Sequence, residues 1–295
     1  MDRTKGIGGS DVAAIMGLSP WKTAVDVYLE KIGTSQPQKE SEVLKRGKRL
    51  EKYILEEYAE RNNVELDTEN LNIVHPTISY LIGTIDARVK GQNVLVEAKS
   101  CGGHASRWGG EVPVYYRTQM AHYAMITDCD RVDMPVLFDR WYYEQFAYER
   151  DLDFEKEIQK ACVDFWHNNV LQKNPPIPQN LDDARALYRV SESIDCEATP
   201  KIKEIWQQIK KISETKKEIE KEEETLKLQI MLFMQEKDTL KDDDGEVFVT
   251  WKTVNSKILD TSSFRSTLPE VYKKFLKQRT VRFFRIKGFN YETEH

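Results

Sequence analysis

Residues 80–99, YLIGTIDARVKGQNVLVEAK, read as two apolar strands joined by a tight turn, and the fold class follows from this hairpin. Gly91-Gln92 suits a two-residue turn with glycine first, so Lys90 pairs with Asn93 and the register sets Asp86 directly opposite Glu97. Facing residues on antiparallel strands hold their Cβ atoms about 4.5–5.5 Å apart, and two carboxylates that close repel. In strands otherwise built of Val, Leu and Ile, the repulsion costs stability unless a divalent cation or a shared proton lies between the oxygens. Period-two alternation puts Lys99 on the Glu97 face and aims an ammonium at the same place. Carboxylates that hold a metal, with a lysine that orients water or balances charge on a phosphate, form a set suited to phosphodiester cleavage. The competing reading is an exposed hairpin with mixed charges on its solvent face, which the Val and Leu density of both strands disfavours.

Working outward, residues 3–16, RTKGIGGSDVAAIM, form a Gly-rich turn leading into a helix capped by Ser10. The free N–H groups of a first helical turn favour an anion, and Arg3 or Lys5 could share it; a plain N-cap after a flexible loop is the bland alternative. Residues 44–58 read as a helix with Glu51, Ile54, Leu55 and Tyr58 on one apolar face. Glu51 on that stripe needs either a cation or a neighbouring arginine. Residues 115–125 read as an aromatic-rich helix on which Tyr116, Gln119 and Tyr123 share a face, either meeting the hairpin carboxylates or simply filling the core. His122 beside them reads as structural.

The 295 residues allow a core domain with an accessory region, and the three prolines within residues 173–178 set the boundary near residue 180, giving 1–180 and 181–295. In the second part, apolar residues from Ile202 to Phe233 recur at steps of three, four or seven, as in a coiled-coil-like or hairpin helix. A turn over 242–245, strands at 246–254 and 281–287, and a helix over 268–278 follow. The whole reads as a structural arm that stabilises or oligomerises the protein. The four cysteines lack CxxC spacing, which argues against zinc or iron–sulfur sites. No stretch approaches the ~20 apolar residues of a membrane span. With no apolar segment behind the first charges, the chain reads as cytoplasmic. The net charge of −5 weighs against nucleic-acid binding, but Lys45, Arg46, Lys48, Arg49 and Lys52 offer a local basic rim.

In order, GIGGSD, GKRLE, GTID, VEAK and YYRTQMAHY resemble the lambda-exonuclease-type, or YqaJ-like viral recombinase, branch of the PD-(D/E)XK nuclease superfamily, over roughly residues 3–170. The resemblance implies an α/β (α+β) restriction-endonuclease-like core, a twisted mixed sheet flanked by helices, followed by a helical arm and a small α+β tail. It implies that Asp86, Glu97 and the Ala98 carbonyl hold metal, with Glu51 near a second ion and Gln119 completing the site. Two Mg²⁺ ions are expected, with Mn²⁺ as a substitute. Lys99 would position or activate the attacking water, Arg3 and Ser10 would bind a terminal 5′-phosphate, and Leu44 would be a strand-separating wedge. The implied activity is 5′-to-3′ digestion of linear double-stranded DNA, in a phage or prophage setting with a single-strand annealing protein as partner. Thr84-Ile85-Asp86 departs from the family's more frequent proline-containing approach to the aspartate. The added C-terminal residues keep the family's toroidal trimer from being assumed, so any homo-oligomer is open. A non-catalytic DNA-end-binding factor and a restriction-type endonuclease are the rivals.

Overall fold

The computed structural model of the protein describes residues 2–34, 42–69, 71–103, 108–139, 141–278 and 280–286, without the side chains of 42–44. Two compact units divide the chain, Met1–Leu187 and Tyr188–His295.

The first unit opens with a 3₁₀ turn, Arg3–Lys5, followed by α1 (Gly9–Ile15), α2 (Ala24–Lys31) and α3 (Glu42–Asn62). Strands β1 (Leu66–Asp67), β2 (Asn72–Val74), β3 (Ile82–Thr84), β4 (Ala87–Val89), β5 (Val94–Val96) and β6 (Lys99–Cys101) precede α4 (Val114–Thr127). After β7 (Arg131–Phe138) and β8 (Tyr142–Glu149) come α5 (Leu152–Phe165) and α6 (Leu181–Leu187).

The main sheet is built on β7. Antiparallel β8 takes the whole length of one of its edges, so β5 and β6 share the other, both parallel to β7. Val94 opposite Arg131 and Lys99 opposite Val136 keep one register, so β5 and β6 are a single strand interrupted at Glu97-Ala98. β4 and then β1 extend the sheet antiparallel beyond β5, while β2 and β3 pair separately. The fold is therefore mixed α/β, a mixed sheet flanked by helices.

Strand alternation sorts the two faces. Ala87, Val89, Val94, Val96 and Leu137 bury against Ile54, Leu55 and Tyr58 of α3. Leu95, Val132, Met134 and Val136 bury on the other side with Met120, Tyr123 and Ala124 of α4 and with residues of α1, α2 and α5. Each of the Val, Leu, Ile and Met side chains contributes about 1.5–3 kcal/mol on full burial. Parity then assigns Glu97, like Leu95, to the α4 face.

The first unit runs on to Leu187 because α6 folds back: Asp183 accepts from Thr23 Oγ1 at 2.7 Å and from the Gln179 N–H at 2.8 Å. In the second unit, α7 (Pro200–Met234) is capped by Thr199, whose side chain accepts from the Ile202 N–H. β9 (Thr239–Lys241) and β10 (Val247–Thr250) form a hairpin, and α8 (Thr261–Thr267) and α9 (Pro269–Phe275) follow. No strand forms over 281–286; β10 takes its partner from just upstream, across the turn at 242–245. Among the described residues no helix is long and apolar enough to cross a membrane.

Candidate active site

The expected hairpin register forms: Ala87 faces Val96 and Arg88 faces Leu95, which sets Asp86 and Glu97 as the next facing pair. The strands are shorter than expected, because both break at these carboxylates. β3 and β4 separate at Ile85-Asp86, and β5 and β6 at Glu97-Ala98. The second break lies beside Pro135 of β7, which has no N–H to give a ladder. The Glu97 N–H still donates to the Asp133 carbonyl at 2.9 Å, but the Ala98 N–H turns away and donates to Asp86 Oδ2 at 2.8 Å. Pro135 was not among the expected site residues, although a proline inside an apolar strand is a readable signal.

Around Glu97 the contacts are short. Lys99 Nζ donates to its Oε1 at 2.6 Å, and Gln119 Nε2 donates to the same oxygen at 2.6 Å and to Tyr123 Oη at 2.9 Å. Glu97 Oε2 is buried and has no hydrogen-bond partner among the described residues. The Lys99 ammonium also lies 5.4 Å from the centre of the Tyr116 ring. Burial lowers the Lys99 pKa, but Glu97 and Asp86 outweigh it and hold the amine protonated. Burial, Glu97 and Glu51 push Asp86 up to about 8 against the opposing pull of Lys99 and the Ala98 N–H. Glu51, on α3, is raised by burial and by Glu97, against Lys99 and Lys48.

Asp86, Glu97, Lys99, Glu51 and Gln119 are thus brought into one electrostatic neighbourhood. A buried carboxylate oxygen without a partner, beside a carboxyl that burial and like charge keep protonated, is a donor set that a divalent cation would satisfy. Among the described residues, no group of three His, Cys, Asp or Glu side chains could hold an ion unaided. Such an ion would also draw on backbone or water oxygens.

The N-terminal segment reaches the same place. A Cβ on Gly9 would fall 2.7 Å from the Tyr123 ring and 3.0 Å from Gln119 Cγ, so only glycine lets α1 pack directly on α4 there. Arg3 is close enough to oppose the upward shift that burial imposes on the Tyr123 hydroxyl. Arg3 and Ser10 are both exposed. Ser10 is not the cap, however: Gly8 precedes the helix and its N–H donates to Asp11 Oδ2 at 3.2 Å. Asp11 serves because it stands three residues after Gly8 and is neutralised by Lys31 at 2.6 Å and Lys22 at 2.8 Å. His122 is buried, its Nε2 paired with the Ile82 carbonyl at 2.9 Å, and burial lowers its pKa to about 4. Arg46, Lys48, Arg49 and Lys52 lie exposed on α3, the helix of Glu51. The Leu44 side chain lies outside the described residues.

Residues 1–130 match the YqaJ-like viral recombinase domain. Hairpin carboxylates, Lys99, Gln119 and the α1 segment all fall inside the matched residues. The uncharacterized protein YqaJ of Bacillus subtilis (strain 168) is 28% identical to the chain, covering 97% of it and 92% of its own length. Two solved structures are also similar. An alkaline exonuclease from Laribacter hongkongensis is 20% identical, covers 58% of this chain and 91% of its own, and has a TM-score of 0.49. A phage related exonuclease from Haemophilus somnus 129PT is 13% identical, covers 57% and 96%, and has a TM-score of 0.45.

Proposed function

We propose that this YqaJ-like protein is a magnesium-dependent deoxyribonuclease that digests linear double-stranded DNA from the 5′ end, leaving 3′ single strands for phage-type recombination. The observation that carries the reading is the facing Asp86–Glu97 pair with Lys99 2.6 Å from Glu97 and the second Glu97 oxygen buried without a partner among the described residues. The match of residues 1–130 to the YqaJ-like viral recombinase domain agrees with it.

Asp86 and Glu97, with Glu51 nearby, would hold Mg²⁺, which when bound neutralises the charge that builds on the scissile phosphate. Gln119 fixes the Glu97 carboxylate through one hydrogen bond and is itself held by Tyr123. Lys99 is protonated, so it orients water and stabilises charge and does not act as a resting base. Exposed Arg3 and Ser10 would take the terminal 5′-phosphate, and the α3 cations would meet the backbone beyond it. A single-strand annealing protein in a host cytoplasm is the partner that this reaction calls for, since its product is a single strand.

The test follows strand-specific end labels on 5′-phosphorylated linear duplex DNA with Mg²⁺, comparing wild type with Lys99→Ala and Asp86→Asn. Wild type alone should release 5′ label, and the variants should lose about 10²–10³-fold in rate. EDTA should abolish the reaction. No digestion by wild type would leave a non-catalytic end-binding factor, and equal cutting of closed circles would make it an endonuclease.

A further inference from the structure

α7 carries an unbroken heptad. Its first positions are Ile202, Ile209, Lys216, Glu223 and Ile230, and its fourth positions are Ile205, Ile212, Ile219, Leu226 and Phe233. Alternating steps of three and four make the seam of a two-helix coiled coil. The apolar members of the seam are 37% to 69% exposed.

We infer that this stripe binds the same stripe of a second copy of the chain, with the two helices antiparallel. A parallel pair in register would set Lys216 against Lys216 and Glu223 against Glu223 at successive first positions, placing like charges together in the seam. Reversing one helix brings first positions opposite fourth positions. Laid full length on its copy, α7 then pairs Ile202 with Phe233, Ile205 with Ile230 and Ile209 with Leu226. Lys216 faces Ile219 and Glu223 faces Ile212, so no seam charge opposes its like. Lys216 also comes within a helical turn of Glu220 and Glu223 of the copy. One register therefore satisfies both the apolar layers and the charges over the entire helix, which a partner of unrelated sequence would not explain.

Light scattering of the full chain should give a dimer mass. Leu226→Asp should make it monomeric. Lys216→Ile, which removes a seam charge and cannot act by unfolding, should lower the dimer dissociation constant roughly tenfold. Orientation is read in a Cys196→Ser background. Ile209→Cys combined with Leu226→Cys should cross-link between copies under oxidation, and neither substitution alone should do so. A monomeric wild type at tens of micromolar, a trimer mass, or cross-linking by Ile209→Cys alone would each overturn the inference.

Discussion

Ile54 on α3 and Ile205 on α7 are the same residue on helices of similar apolar periodicity, yet Ile54 is 1% exposed and Ile205 41%. The difference runs through both units. In Met1–Leu187 the sheet covers the apolar faces of α3 and α4 and the other helices pack on one another around them, whereas among the described residues of Tyr188–His295 only Met234 is buried. Amphipathic spacing therefore specifies a helix and the face it must cover, but not whether the cover comes from the same chain. The first unit is organised by burial, including buried charge, and that is where substitutions should cost most.

The largest stability effect is expected at Asp11. Its carboxylate joins Lys31, whose side chain is fully buried, to Lys22 and to the start of α1. Asp11→Ala leaves the Lys31 ammonium buried without that partner and should cost about 3–5 kcal/mol in denaturant unfolding. A loss below 1 kcal/mol would show that the first unit does not depend on its buried ion pairs.

Next comes His122, held neutral in the core. Its folded pKa of about 4 lies below the ordinary unfolded value of 6.5, so between these pH values the unfolded chain binds a proton that the folded chain refuses. The histidine's contribution is whole above about pH 6.5, falls as pH drops, and is fully lost below about pH 4, for a total of about 3 kcal/mol. Urea midpoints measured from pH 7 to 4 should show this slope, and His122→Gln should flatten it. Gly83→Ala is a smaller test of the same packing. The added Cβ would lie 2.8 Å from the Tyr123 ring and 2.9 Å from Ile73 Cγ1, so overpacking should cost about 1–3 kcal/mol and lower melting accordingly.

The Asp86–Glu97 register was legible from the hairpin pattern, although the turn differs from the expected Gly91-Gln92 pair: the Gln92 N–H donates to the Val89 carbonyl at 3.2 Å, which centres it on Lys90-Gly91. Glu51 and Gln119 were legible as polar groups on otherwise apolar helix faces, which required a partner without naming it. The strand breaks were less so. The one at Glu97-Ala98 depends on Pro135 in β7, some forty residues downstream, and on a parallel pairing that no local pattern encodes. The Gly8 cap was missed because Ser10 is the better cap residue by type, whereas the winning feature is the Asp11 carboxylate satisfied by two lysines from the α2 region. The strand expected at 281–287 rested on composition alone, with no partner strand to receive it.

The smallest expected effect is in the second unit. Ile258 is 88% exposed, off the α7 seam and outside any helix or strand. Ile258→Ser removes apolar surface that is already in water, so folding loses no burial, and the unfolding free energy should move by no more than about 0.5 kcal/mol. The same change at buried Ile54 removes a side chain packed between α3 and the sheet and should cost about 2–5 kcal/mol. If Ile258→Ser destabilised the full chain as much as Ile54→Ser, residues 251–260 would have to be covered in solution. The contrast between the two units would then mark where a partner sits, since apolar exposure could not persist at that position without a matching loss on substitution.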